Sequence, residues 1–262
     1  MSRPIISFTT DFGVDSPYVA QMKAAVLQLN PDATLVDVTH SIPPQNVRQA
    51  ALILAQTVPR FPKHTIHVAV VDPGVGTSRR ILLANLLNQS VIAPDNGLLS
   101  GITRFTPAKQ VVAITNDRLW NHPVAPTFHG RDIMAPVAAH LSRGLSWDKV
   151  GGPVDDWVKL NWNDLKINSD SIQGSVVLID SFGNLLTDIP VENIPSGVRD
   201  RCRISCGVFQ TNGLVTTYGV GRPGELVALA SSNGYLEVAV VDGNAALHVG
   251  AEAGDAVQIH WN

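Results

Sequence analysis

Val70-Val71-Asp72-Pro73-Gly74-Val75-Gly76-Thr77-Ser78-Arg79-Arg80 is the stretch on which the fold turns. An apolar run ends in an acid, bends through a proline and two glycines, and delivers a pair of arginines. A strand with a carboxylate at its C-terminal edge, followed by a loop with exposed N–H groups, is where open α/β sheets build their sites. The run feeding it, Thr65 to Val71, is almost wholly apolar, as strands buried on both faces are.

Two strand–helix units precede it. Ile5 to Thr9 reads as a strand ending at Thr10-Asp11-Phe12-Gly13. A helix follows, with Asp15 or Ser16 as N-cap, Pro17 in its first turn and Val19, Met22, Val26 and Leu29 inward. It stops at Asn30-Pro31. Leu35 to Val38 is the second strand, leading through Thr39-His40 to a Pro43-Pro44 turn. Asn46 then caps a second helix with Val47, Ala50, Ala51, Leu54 and Val58 inward, ended near Pro59. This alternation predicts a right-handed, largely parallel α/β arrangement.

Beyond the opening stretch, Ile81 to Leu87, Ser90 to Ala93 and Gln110 to Thr115 add apolar strands. A proline-rich loop, His122 to Thr127, leads to Phe128-His129-Gly130-Arg131-Asp132 and a helix over roughly Ile133 to Ser142. Gly151-Gly152-Pro153 to Asn163 reads as a linker. From about residue 170 helical periodicity fades and short strands recur: Ile172 to Asp180, Leu185 to Ile189, Arg203 to Phe209, Leu214 to Tyr218, Leu226 to Leu229, Tyr235 to Val241 and Ala256 to His260. Phe182-Gly183-Asn184, Thr211-Asn212-Gly213 and Ser232-Asn233-Gly234 read as hairpin turns. The expectation is an α/β domain over 1–165 and a smaller all-β barrel over 170–262.

At 262 residues, with 45% hydrophobic and 16% charged residues, the chain has enough apolar material for a sizeable core. A net charge of -3 and no basic run argue against a nucleic-acid partner. No stretch approaches the roughly 18 apolar residues of a membrane span, and the first apolar run is broken by Asp11, too short for a signal segment. The expectation is a cytoplasmic protein. Cys202 and Cys206 would stand about 13 Å apart on a strand, too far for a disulfide, so they read as free thiols.

Two motifs mislead. Gly219-Val220-Gly221-Arg222-Pro223-Gly224 satisfies G-x-G-x-x-G, but no helix pattern follows it. The opening Asp-x-Gly-x-Gly is like the glycine loop of Rossmann methyltransferases, yet it follows the third strand rather than the first, and another strand comes next. Walker, G-x-S-x-G and H-E-x-x-H motifs are missing from the sequence.

Five segments interrupt apolar runs with polar groups beside turns: Thr10 to Gly13, Asp72 to Arg79, Thr127 to Asp132, Ile179 to Asn184, and Ser231 to Val240. With Asp37-Val38-Thr39-His40-Ser41-Ile42-Pro43-Pro44 and Ala93-Pro94-Asp95-Asn96-Gly97, and in this order, they resemble the S-adenosylmethionine (SAM) hydroxide adenosyltransferase family, relatives of the fluorinase and chlorinase. The resemblance runs nearly end to end. It implies an α/β domain with a C-terminal β-barrel, a homotrimer with sites at subunit interfaces, and hydrolysis of SAM to adenosine and methionine with neither cofactor nor metal. It places the water-handling residues on Asp72, Arg79 and His129, and the ribose-binding acid on Asp11. Further ligand contacts fall on Asp180, Asn184, Ser232, Glu237 and the backbone around Val240.

These residue types suit the chemistry. Methionine leaves a sulfonium as a neutral group, opening C5′ of the ribose to in-line displacement. Water must lose a proton as it attacks. His129 titrates in the right range, Arg79 favours hydroxide, and Asp72 orients either of them; the sequence leaves open which group takes the proton. Asp11 can accept from both ribose hydroxyls. Taken singly, each has a plainer reading: Asp72 as a strand-end cap, His129 and Arg79 as surface charges, Asp11 and Asp180 as turn acids, Asn184 as a positive-φ hairpin residue, Ser232 and Glu237 as barrel polar residues. Arg131-Asp132 reads as structural, bracing His129. A SAM-dependent halogenase and a non-catalytic adenosine or SAM sensor are the competing functions.

Overall fold

The structure, a computed structural model, describes residues 3–104, 106–161 and 165–261. They form two compact units, Met1–Leu160 and Asn161–Asn262.

The first unit is a six-stranded sheet between helices. Its elements are β1 (Ile5–Thr10), α1 (Tyr18–Leu29), β2 (Thr34–Thr39), α2 (Val47–Thr57), β3 (Ile66–Val70), β4 (Ile81–Leu86), β5 (Gln89–Pro94), α3 (Ser100–Thr103), β6 (Gln110–Ala113) and α4 (Ala135–Ser142). The sheet order is β2-β1-β3-β5-β4-β6. Strand β3 is buried on both faces, as its unbroken apolar run predicts. Val68 and Val70 join a core with Met22, Val26 and Val137 of α1 and α4, while Ala69 and Val71 meet Ala50 and Leu54 of α2 on the other face. Asn46 caps α2 as expected, its side chain accepting from the Gln49 N–H at 2.9 Å.

The sheet is less parallel than its alternating pattern predicts. Strands β1, β2, β3 and β5 pair in parallel, but β4 runs antiparallel to both β5 and β6. The cause is a two-residue hairpin: Leu86 pairs with Gln89, and Leu87 and Asn88 between them both have positive φ (56° and 60°). That is the twist a right-handed hairpin favours. The expected linker is also largely docked. Ala113 donates to Gly152, Val154 donates to Val111, and Val154 and Trp157 pack on the α2 face of the core. Its last residues, Trp162 and Asn163, lie outside the described residues.

The second unit contains β7 (Lys166–Ile167), β8 (Ser171–Ile179), β9 (Leu185–Pro190), β10 (Arg203–Cys206), β11 (Phe209–Asn212), β12 (Leu214–Val215), β13 (Leu226–Ala230), β14 (Tyr235–Val240), α5 (Ala245–Val249) and β15 (Ala256–His260). The strands form one curled sheet, β11-β10-β15-β8-β9-β14-β13-β12, with β7 on β8. Its hydrogen-bonded path is open among the described residues, and a helix, α5, joins β14 to β15 in the chain, so the expectation of an all-β barrel is not met in full. All pairs are antiparallel except β12 with β13. The single strand expected over Arg203 to Phe209 is a tight hairpin turning at Gly207 (φ 58°). Cys202 and Cys206 are buried free thiols. The Gly219 to Gly224 segment leads into strand β13, not a helix.

Candidate active site

The sheet order of the first unit reverses between β1 and β3, and ligands of open α/β sheets bind beyond the strand ends at such a point. Thr10 pairs with Val70 across these strands, so Asp11 and Asp72 leave adjacent strand ends at that point. Asp72 continues the side-chain alternation of Val68 and Val70, on the face shared with α1 and α4.

Three of the expected residues meet there. Arg79 Nε donates to Asp72 Oδ1 at 2.9 Å and Nη2 donates to Asp72 Oδ2, a two-pronged ion pair. Nη2 also lies 3.0 Å from His129 Nδ1. The side chains of Arg79 and Asp72 are only 10% and 4% exposed, so little water screens them. The two Nη1 hydrogens of Arg79 make no hydrogen bond among the described residues. Burial and the Arg79 charge push the His129 pKa below the ordinary histidine value, against the opposing pull of Asp72 and Asp132.

The glycines of the opening stretch bring these groups together. Gly76 has φ 79°, and a Cβ there would stand 2.6 Å from the Pro126 carbonyl oxygen. Only glycine lets the Asp72–Arg79 loop close on the segment leading to His129. Asn96 holds the strand end from the other side, donating to the Val71 carbonyl at 2.8 Å. Asp95 is anchored by Arg80 at 2.7 Å and by the Val158 N–H at 2.8 Å.

His129 precedes a π-helical turn, Gly130–Met134, that runs into α4. Pro136 explains it. Without an N–H, it cannot bond the Asp132 carbonyl four residues back; the Asn121 N–H takes that carbonyl at 2.8 Å, and Ala135 donates to Gly130. Arg131 and Asp132 are structural, but their bonds brace the turn and the preceding loop rather than the His129 side chain: Arg131 grips both Asp132 oxygens at 2.6 and 2.9 Å, and Asp132 accepts from the Ala125 N–H at 2.9 Å.

Asp11 has one oxygen engaged, Oδ2 accepting from the Gln45 N–H at 2.8 Å. Beside it Phe12, Tyr18 and Phe128 form a ring of edge-to-face contacts with centroids 5.4 to 5.8 Å apart. This cluster escaped the sequence reading, although Phe12 and Phe128 adjoin Asp11 and His129 in sequence.

In the second unit, Asp180, Asn184 and Val240 line one cavity of about 670 Å³, with Phe182, Tyr218 and Asn244. Asp180 organises the loop: its Oδ1 accepts from the N–H groups of Phe182 and Asn184, both at 2.9 Å, and Oδ2 from the Asn184 amide at 3.0 Å. Gly183, not Asn184, carries the positive φ of that turn. Glu237 reaches the cavity through a partner, accepting from the Tyr218 hydroxyl at 2.6 Å. Burial raises the Glu237 pKa, and the Glu237 bond pushes that of Tyr218 up to about 12. Ser232 is not brought there: it sits in the turn before β14, at the opposite end of that strand from Val240. Tyr218 carried no functional reading in the sequence, because it looked like the end of a strand.

Among the described residues no group of three or more His, Cys, Asp or Glu side chains is placed to hold a metal ion, and no helix is long and apolar enough to cross a membrane.

Comparison with known proteins identifies the family. Residues 6–151 match the family model of the SAM hydroxide adenosyltransferase N-terminal domain, and residues 174–258 that of the C-terminal domain. The chain is 36% identical to an (R)-S-adenosyl-L-methionine hydrolase of Salinispora arenicola over 98% of both chains. It is 29% identical to a fluorinase of Nocardia brasiliensis over 98% of this chain and 97% of that one. A crystal structure of an uncharacterized conserved protein from Thermotoga maritima superposes with a TM-score of 0.92 at 35% identity, over 98% of this chain and 100% of that one. With both of its units matched, the chain belongs to the SAM hydroxide adenosyltransferase family.

Proposed function

We propose that the protein hydrolyses SAM to adenosine and L-methionine by attack of hydroxide on C5′ of the ribose. The observation that carries this reading is Arg79 bonded at once to Asp72 and His129, at the point where the sheet order reverses. A guanidinium with two N–H groups uncommitted among the described residues, its side chain only 10% exposed, favours hydroxide over water. His129, kept neutral and accepting from Arg79 through Nδ1, presents an Nε2–H as a second donor. Asp72 fixes the guanidinium. Hydroxide oxygen then bonds to C5′ as the C5′–S bond breaks, its electron pair leaving with the methionine thioether. Asp11 holds the ribose hydroxyls, while Asp180, Asn184, Glu237 (through Tyr218), Ser232 and the backbone at Val240 contact the ligand. Ser232 would do so from a different part of the unit than the cavity.

The same reading carries a homotrimer with sites at subunit interfaces, a barrel-type second domain, a cytoplasmic location, and a reaction without cofactor or metal. Incubation with SAM in ¹⁸O-labelled water should place the label in the 5′-hydroxyl of adenosine. Unlabelled adenosine, or none, would sink the proposal. Formation of a 5′-halo-adenosine only when chloride or fluoride is present would point to a halogenase instead.

A further inference from the structure

The turn carrying Asp11 is held on both sides by one residue, His40, through its ring before the acid and through its backbone carbonyl after it. Before it, Thr10 Oγ1 lies 2.9 Å from His40 Nδ1, and both residues are buried. After it, the Phe12 N–H donates to the same Thr10 oxygen at 3.2 Å, and the Gly13 N–H donates to the His40 carbonyl at 2.8 Å. His40 therefore touches, directly or through one atom, every neighbour of Asp11 in the turn.

The imidazole is itself aimed. Across β1 and β2, Phe8 pairs with Asp37 but Thr9 pairs with Thr39, so Val38 is an extra residue in β2. Such a bulge turns the following side chains. Here it leaves Asp37 half exposed and swings His40 inward, 8% exposed. His40 Nε2 makes no aligned hydrogen bond but stands 3.0 Å from Asp37 Oδ1. Asp37 in turn accepts from Lys23 Nζ at 2.6 Å. Burial alone would raise the Asp37 pKa, but Lys23 and His40 outweigh it and hold the carboxyl below the usual range. An ionised carboxylate beside Nε2 keeps the proton there. Nδ1 is left as the acceptor for the Thr10 hydroxyl, whose lone pairs then receive the Phe12 N–H.

We propose that His40, oriented by Asp37, is a positioning residue for Asp11, setting the Thr10–Gly13 turn so that the carboxylate meets the ribose hydroxyls. This rests on the reading of Asp11 as the ribose-binding acid. Gly13, with φ 79°, supplies the backbone bend of the turn, while the bulge, the buried imidazole and the carboxylate behind it fix where the bend sits.

The test compares kcat and KM for SAM and for its 2′-deoxyribose analogue. The wild-type protein should favour the ribose form. Displacing a contact group by about 1 Å costs on the order of 100-fold, so His40→Ala should lose about 10- to 100-fold in kcat/KM on SAM, mainly through KM, and much less on the analogue. The preference itself should shrink accordingly. His40→Asn, whose amide oxygen can accept from Thr10, should restore most of it. Thr10→Val, nearly the same shape without the hydroxyl, should lose the preference even if His40→Ala fails to fold. An unchanged preference in Thr10→Val and in folded His40→Ala would overturn the inference while leaving Asp11 in its role. A wild-type protein with no preference would overturn the Asp11 reading, and this inference with it.

Discussion

Nη2 of Arg79 lies 3.0 Å from Nδ1 of His129, and because a guanidinium only donates, that ring nitrogen is an acceptor. The proton of the neutral imidazole is therefore on Nε2. Protonating Nδ1 would set two cations face to face and break the contact. Burial and Arg79 already hold the pKa below the ordinary value of about 6.5. The neutral, productive form thus persists above that value and is lost only as pH falls through the lowered pKa. An NMR titration of the His129 ring should give a midpoint below 6.5, with kcat/KM declining on the acid side over the same range. A midpoint above 6.5 would contradict the arrangement.

Arg79 has three separate jobs in this geometry: the fork on Asp72, the bond to His129, and the two uncommitted hydrogens on Nη1. Arg79→Ala should lower kcat by about 100- to 1000-fold, the usual cost of removing a donor that faces a developing charge. Adenosine affinity, measured by calorimetry, should change only a few-fold. Arg79→Lys should recover little, because a point charge cannot make the fork and the His129 bond together. Full recovery with lysine would reduce the role of Arg79 to simple charge.

Much of this site was legible because its parts sit where chain grammar changes: Asp11 and Asp72 end apolar strands, and His129 precedes a helix. The separation of 50 residues between Arg79 and His129 is closed by Gly76, and the two glycines after Asp72 announced a loop of that kind. The direction of β4 was not legible. An apolar strand reads the same either way, and its hairpin turns at Leu87-Asn88 rather than at an Asn-Gly or Asp-Gly pair. Nor was the π-turn, which needs both Pro136 and a distant partner, the Asn121 N–H. Tyr218 was missed because its role depends on Glu237, 19 residues away on another element.

That pair carries its own prediction. Glu237 is 4% exposed, and its bond to the Tyr218 hydroxyl offsets part of the cost of burying it. Tyr218→Phe leaves the buried carboxyl short of a donor, which should cost about 1–3 kcal/mol of stability in urea unfolding and raise the Glu237 pKa further. Glu237→Gln, which keeps an acceptor and removes the charge, should cost less. Equal losses in the two variants would mean that packing, not the hydrogen bond, dominates.

Acid sensitivity of the fold should centre on His67 in β3. Its Nδ1 lies 2.6 Å from Ser7 Oγ and its Nε2 lies 2.5 Å from Gln89 Oε1. Gln89 spends its amide hydrogens on the Val58 and Phe61 carbonyls, both at 3.0 Å, so its oxygen must accept and His67 Nε2 carries the proton. Ser7 then donates to Nδ1, and the ring is neutral with both nitrogens satisfied. Burial lowers its pKa to about 4. The unfolded chain binds this proton at about pH 6.5, the folded one only near 4, so the unfolded state holds more protons between those values. Stability is fully present above pH 6.5, falls as the pH drops toward 4, and loses at most about 3 kcal/mol from this residue. Carboxylates elsewhere add their own acid dependence, so the measurement is a difference. Urea unfolding of wild type and His67→Gln at pH 7.5, 6, 5 and 4.5 should show the wild type losing its advantage as the pH falls. Parallel curves would mean that His67 takes up its proton at the same pH in the folded and unfolded chain, the charged ring then donating to both Ser7 and Gln89.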